Sequence, residues 1–133
     1  MRFGIIGTNF VSEWLLAAGK DCSGFEPAAI YSRTSGRARE FGEKYGATYS
    51  FSSLENLAAG PIDAVYIASP TACHCKQALL MLGAGKHVLC EKPMASNTKE
   101  LEAMLAAPRG RGLGVLVAVR PAFNPVLIRL QEV

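Results

Sequence analysis

Arg2-Phe3-Gly4-Ile5-Ile6-Gly7-Thr8-Asn9-Phe10-Val11-Ser12 opens the chain with a short apolar run, a glycine turn and the start of a helical pattern. That context gives physical meaning to the dinucleotide fingerprint G-x-G-x-x-G/A. Gly7 fits the tight turn. Asn9 stands where a second glycine would let the backbone approach a pyrophosphate, and Ser12 where a small residue lets helix pack on strand. Asparagine tolerates left-handed backbone angles better than other non-glycine residues, and its amide can donate to a phosphate oxygen. The helix N-terminus adds free N–H groups and a favourable dipole. Gly7, Thr8, Asn9 and Phe10 are therefore the candidate pyrophosphate turn. Taken alone, so altered a fingerprint fits an ordinary strand-to-helix turn equally well.

Outward from this turn, strand and helix patterns alternate to the end of the chain. Strands are expected at 3–6, 27–31, 47–49, 64–68, 87–90 and 113–119. Helices are expected at 10–18, 35–45, 53–59, 71–82, 97–106 and 125–130. Phe10, Val11, Trp14, Leu15 and Ala18 recur at helical spacing in the first helix. Ser35 is read as an N-cap, Gly46 as a terminator and Asn97 as a cap. Ala64-Val65-Tyr66-Ile67-Ala68 is apolar without a break, as a strand covered on both faces should be. Short links between alternating elements imply parallel strands with right-handed crossovers. The expected class is α/β: a doubly wound parallel sheet of about six strands with helices on both faces. Arg109-Gly110-Arg111-Gly112 reads as an exposed loop.

Composition narrows the function classes. With 133 residues, half of them hydrophobic and 19% charged, the chain is expected to form one packed domain rather than a disordered segment. A formal charge of +3 is too small and scattered to point to nucleic acid. Arg33, Arg37 and Arg39 are read as solvated, Arg33 excepted. The apolar run at 113–119 falls far short of the roughly 20 residues of a membrane span. Met1-Arg2 leads directly into a strand pattern, so no secretory signal is read. Cys22, Cys73, Cys75 and Cys90 suit a reducing, cytoplasmic setting. Cys73-His74-Cys75 lacks the spacing of a zinc site and has no second ligand pair, so no metal is expected.

Ligands of a doubly wound sheet lie beyond the carboxyl ends of its strands. The residues there are Gly7 to Asn9, Ser69-Pro70-Thr71, Glu91-Lys92-Pro93 and Arg120, with His74 one turn into the following helix. His87 belongs at the opposite edge and is read as structural. The second strand ends in Tyr31-Ser32-Arg33-Thr34, without the carboxylate that usually holds the ribose 2′-hydroxyl of NAD. Ser32, Arg33 and Thr34 offer donors and a positive charge for a 2′-phosphate, which favours NADP over NAD. Gly83-Ala84-Gly85-Lys86 is not a triphosphate loop: it lacks the first glycine and the following Ser or Thr, and leads from helix into strand.

These stretches resemble the nucleotide-binding half of the glucose–fructose oxidoreductase / inositol dehydrogenase (Gfo/Idh/MocA) family. The resemblance rests on Gly4-Ile5-Ile6-Gly7-Thr8-Asn9, on Ile30-Tyr31-Ser32-Arg33, on Ala64 to Thr71 with His74, and on Ala84-Gly85-Lys86-His87-Val88-Leu89-Cys90-Glu91-Lys92-Pro93. It covers most of 1–120, the expected dinucleotide-binding domain. It implies that Lys92 sits beside nicotinamide and substrate, that Glu91 contacts the cofactor and that the Lys92-Pro93 peptide is cis. A lysine so placed polarises a carbonyl oxygen or shuttles a proton during hydride transfer. Outside the family, Glu91-Lys92 would be an inert surface ion pair.

The resemblance further implies that 121–133 begins the crossing into a substrate domain absent from this chain, and that the full-length form assembles as a homo-oligomer. The expected function is an NADP(H)- or NAD(H)-dependent oxidoreductase acting on a sugar, cyclitol or related hydroxy or carbonyl compound. Rival readings are a non-catalytic NAD(P)-binding module (redox sensor or scaffold), an inactive truncated fragment, and another two-domain dehydrogenase class such as an amino-acid or tetrapyrrole reductase. Glu91-Lys92-Pro93 argues against the last.

Overall fold

The computed structural model describes residues 1–119 and Arg129. Arg120 and the segment 121–133 therefore lie outside the described residues, except Arg129, which is helical and exposed. Eleven elements alternate along the described residues: β1 (Arg2–Ile6), α1 (Phe10–Gly19), β2 (Glu26–Tyr31), α2 (Ser35–Tyr45), β3 (Tyr49–Phe51), α3 (Leu54–Ala59), β4 (Ala64–Ile67), α4 (Thr71–Gly83), β5 (His87–Glu91), α5 (Thr98–Ala106) and β6 (Val115–Ala118). The strands form one parallel sheet in the order β3-β2-β1-β4-β5-β6. The chain winds outward from β1 to one edge, then returns past it to β4 and the other edge. The crevice between β1 and β4 is the topological switch point where such folds hold ligands.

Side-chain alternation divides the core between the two faces. Ile5, Ile30 and Tyr66 meet Leu16 of α1 and Phe41 of α2 on one face. Ile6, Val65, Ile67 and Val88 meet Leu57, Met81, Leu82 and Met104 from α3, α4 and α5 on the other. β4 is buried at every position, which accounts for its unbroken apolar run. β6 is an edge strand, and Leu116 and Val117 remain exposed.

Local chemistry set several boundaries differently from the sequence pattern. The third strand begins at Tyr49 rather than Ala47. Gly46 takes the left-handed C-cap with φ 74°, and the Ala47 N–H donates to Gly42 O of α2 at 2.9 Å, so it cannot join the sheet ladder. Thr34, not Ser35, is the N-cap of α2, without a side-chain cap bond. The last strand is shorter than the apolar run at 113–119, because the Gly114 N–H is held by His87 Nδ1 at 2.9 Å before the strand begins. In α1 the deeply buried face is Ser12, Leu16 and Gly19, with Val11 and Leu15 packed beside the core; Phe10, Trp14 and Ala18 face outward. Ser53 and Asn97 cap α3 and α5 through their side chains, onto the N–H groups of Asn56 and Glu100.

Candidate cofactor crevice

Gly7 ends β1 with φ 112°, a backbone region that side-chain-bearing residues rarely adopt. A Cβ there would lie 2.7 Å from the Ala68 carbonyl oxygen. The turn can pass this close to the end of β4 only as glycine. Asn9 then starts α1. Its Oδ1 accepts from the N–H groups of Val11 at 3.0 Å and Ser12 at 3.3 Å, and its Nδ2 donates to Ala68 O at 2.6 Å. Asn9 is thus an N-cap and a tie between the β1 and β4 loops. Its backbone is extended, at φ −110°, so the left-handed turn expected of it is not used. Both ends of the amide bond within the protein, Nδ2 using one of its two hydrogens on Ala68. Ser12 fits the third fingerprint position because its hydroxyl is buried and donates to Gly7 O at 2.8 Å.

Two adjoining hollows run along the carboxyl ends of the strands, of about 350 and about 500 Å³. They share Asn9, Ala68, Ser69 and Pro70, so Asn9 and Pro70 stand at the waist of one crevice. The larger hollow takes in Gly7 and Thr8, then Ser32 and Arg33 at the end of β2. The smaller takes in Phe10, Thr71, His74, Glu91 and Lys92. Nearly every expected site residue therefore meets in one crevice, from the ends of four strands. Thr34 lines neither hollow, because it has already turned into the start of α2.

The loop after β5 is built around Glu91. Tyr66, buried in β4, donates its hydroxyl to Glu91 Oε1 at 2.6 Å, and the Lys92 N–H donates to Glu91 Oε2 at 3.2 Å. The carboxylate thus fixes the backbone from which Lys92 projects. Lys92 is exposed. Among the described residues nothing accepts a hydrogen bond from its ammonium. The Lys92-Pro93 peptide is cis. His74 is 1% exposed, with Nδ1 3.0 Å from Pro93 O and Nε2 2.8 Å from Ser69 O. It clamps the β4 and β5 loops together and leaves neither ring nitrogen for a metal. Cys73 is exposed, whereas Cys75 Sγ turns toward Glu100 O. Burial, with the charge of neighbouring Glu91, pushes the Cys90 thiol up to about 12, so it stays an inert core thiol.

Some contributors went unread in the sequence. Arg37, taken as solvated, donates from α2 to Thr8 Oγ1 at 3.3 Å and Thr8 O at 3.2 Å, and so braces the glycine turn. Its only sequence signal is its spacing of four from Arg33. Tyr66 looked like one more apolar strand residue. Trp14, Lys76 and Gln77 also line the crevice. Two structural readings hold. His87 lies at the amino end of β5, where it accepts from Gly114 N–H. Lys86 donates to Gly60 O and Ile62 O at the same end, far from any phosphate turn.

Comparisons with known proteins show the family and the fold. The model of an oxidoreductase family with an NAD-binding Rossmann fold (Gfo/Idh/MocA) matches residues 1–119. The chain is 48% identical over 133 residues to a scyllo-inositol 2-dehydrogenase (NADP(+)) of Bacillus subtilis, covering 99% of this chain and 40% of the relative. It is 33% identical to the trans-1,2-dihydrobenzene-1,2-diol dehydrogenase of Mus musculus, covering 100% of this chain and 41% of that one. The chain thus spans about two fifths of the length of these curated relatives. A 3-ketoreductase from Actinomadura kijaniata, solved with TDP-benzene and NADP, superposes with a TM-score of 0.92 at 30% identity, covering 99% of this chain and 42% of that structure.

Proposed function

The chain belongs to the Gfo/Idh/MocA oxidoreductase family, with its NAD-binding Rossmann fold, and on that footing we propose that it is the cofactor-holding part of an NADP(H)-dependent dehydrogenase of cyclic polyols. The observation that carries this reading is the single crevice that joins a glycine turn, an arginine at the end of β2 and the exposed ammonium of Lys92. The donor set fits the cofactor. Gly7 and Thr8 would hold the pyrophosphate, with the first N–H groups of α1 at Phe10 facing it. Ser32 and Arg33 would hold the 2′-phosphate, and no carboxylate stands at that strand end to repel it. Ser69, Pro70 and Thr71 would border the nicotinamide side, with His74 behind them as clamp. Arg120 is assigned by its place after β6 alone.

When bound, the nicotinamide supplies or takes the hydride. Lys92 would hold the substrate oxygen, giving it a proton as a carbonyl is reduced or receiving one as an alcohol is oxidised. Glu91 would keep that lysine in position through the backbone bond already described. The relatives' activities, on an inositol and on a cyclic diol, support the substrate class. The non-catalytic module remains the rival, since the chain matches only part of each relative.

Titration with NADPH and NADH tests the reading. NADPH should bind at least about tenfold more tightly, and Arg33→Ala should remove most of that difference by deleting a charge-assisted contact of about 1.5–3 kcal/mol. Equal affinity for both nucleotides would refute the NADP assignment; binding of neither would refute the site.

A further inference from the structure

Helix α1 carries two exposed large aromatic residues: Phe10 is 60% exposed and Trp14 50%. They stand four residues apart, on one face of the helix. The rings pack edge to face, with centroids 4.9 Å apart and planes at 79°. The helix buries a different face, so this pair contributes little to the core. Both rings line the smaller hollow, together with Thr71 and Lys92. An exposed aromatic surface bordered by polar groups at a ligand crevice marks a binding wall.

We infer that Phe10 and Trp14 form a platform in which one ring offers its face to the carbon face of the substrate ring and the other braces it edge-on, selecting six-membered polyols whose face carries only C–H bonds. This rests on the reading of the crevice as a cyclic-polyol dehydrogenase site. The face of an aromatic ring is electron-rich and apolar. The axial C–H bonds of a polyol ring are its least polar surface and carry slight positive charge, so the two match. When every hydroxyl is equatorial, the hydroxyls radiate from the rim, where Lys92 and Thr71 can take them. An axial hydroxyl would instead be pressed against the aromatic wall and lose its water without gaining a partner.

Trp14 is the single tryptophan of the chain, so its emission reports on this wall directly. NADPH binding is first followed through the emission of the reduced nicotinamide. With NADP saturating, the protein is then titrated with scyllo-inositol, whose hydroxyls are all equatorial, and with D-chiro-inositol, which has an axial hydroxyl on each face. The first should shift Trp14 emission saturably, at concentrations about tenfold lower than the second. Trp14→Ala should keep NADPH affinity within about twofold while weakening scyllo-inositol binding about tenfold by calorimetry, and Trp14→Phe should retain most of it. If NADPH binds but Trp14 does not respond, or both isomers act alike, the platform is wrong and the cofactor reading stands. If NADPH does not bind, the cofactor reading falls and takes the platform with it.

Discussion

The turn after β1 and the loop after β5 border the same crevice but use their polar groups in opposite ways. In the first, Asn9 caps α1 and ties itself to Ala68, Ser12 bonds Gly7, and Arg37 braces Thr8. These side chains are spent on holding backbone in place. In the second, Glu91 is anchored by Tyr66 and by a backbone N–H, and Lys92 is left pointing into solvent. One region is a turn whose side chains hold its main chain in place. The other holds an exposed charge on a fixed base. A site that must bind a cofactor firmly and also move a proton needs both kinds of construction.

The contrast breaks first at Lys92. A chimera carrying this chain in place of the matched segment of the Bacillus relative should oxidise scyllo-inositol with NADP. In it, Lys92→Ala should lower the turnover rate by about 10²–10⁴, the usual worth of a positioned acid or base, with NADPH affinity changed less than about threefold. Unchanged turnover would favour the non-catalytic module.

Gly7→Ala should act the other way, on the fold and the cofactor together. Its Cβ would meet the Ala68 carbonyl at 2.7 Å while the backbone sat at φ 112°. We expect a loss of about 1–3 kcal/mol in urea unfolding and sharply weakened NADPH binding. Full retention of both would show that the turn is not the rigid half of the crevice.

Asn9→Ala should be milder. Losing the cap costs about 1 kcal/mol, and losing the bond to Ala68 loosens the waist of the crevice. Asn9→Asp keeps the acceptor that caps the helix but loses the donor to Ala68. The two variants together separate cap from tie in a denaturation series.

The smallest expected effect lies at the far end of the same strands and serves as a control. Arg2 at the start of β1 donates two side-chain bonds to Asp63, at 2.8 and 3.3 Å, and its backbone N–H adds a third at 2.8 Å. The Arg2 guanidinium, then its backbone N–H, holds the Asp63 carboxyl well below its ordinary 3.8. A carboxyl depressed in the folded state adds stability that is complete above its unfolded value and fades as pH falls toward the folded one. The urea midpoint gap between the wild-type protein and Asp63→Asn should therefore be small at pH 7, because the pair is exposed, and should shrink further below about pH 4. NADPH binding should not change. A gap independent of pH would remove Asp63 ionisation as its cause.

Much of this was legible in the chain because the signals are local. The strand–helix alternation, the Gly46 and Asn97 punctuation and the strand-end residues all lie within a few positions of their physical cause. The errors arose where a distant partner decided the outcome. Ala47 is the local exception, lost to the third strand by a bond back to Gly42 at the end of α2. The tie of the Asn9 amide to the loop after β4 also went unread. Arg37 looked like one more solvated charge until α2 was laid beside the turn after β1. Phe10 and Trp14 keep a helical period, but period alone does not say which face of α1 meets the sheet.

The order of apolar runs, turns and capping residues by itself determined a parallel α/β sheet and which residues end its strands, since hydrophobic period and backbone geometry act over a few residues at a time. Only the folded chain decided which of those strand ends share a crevice, which polar groups are consumed in holding it and which are left facing it. That division depends on bonds such as Tyr66 to Glu91 and His74 to Ser69 and Pro93, whose partners become neighbours only once the sheet has assembled.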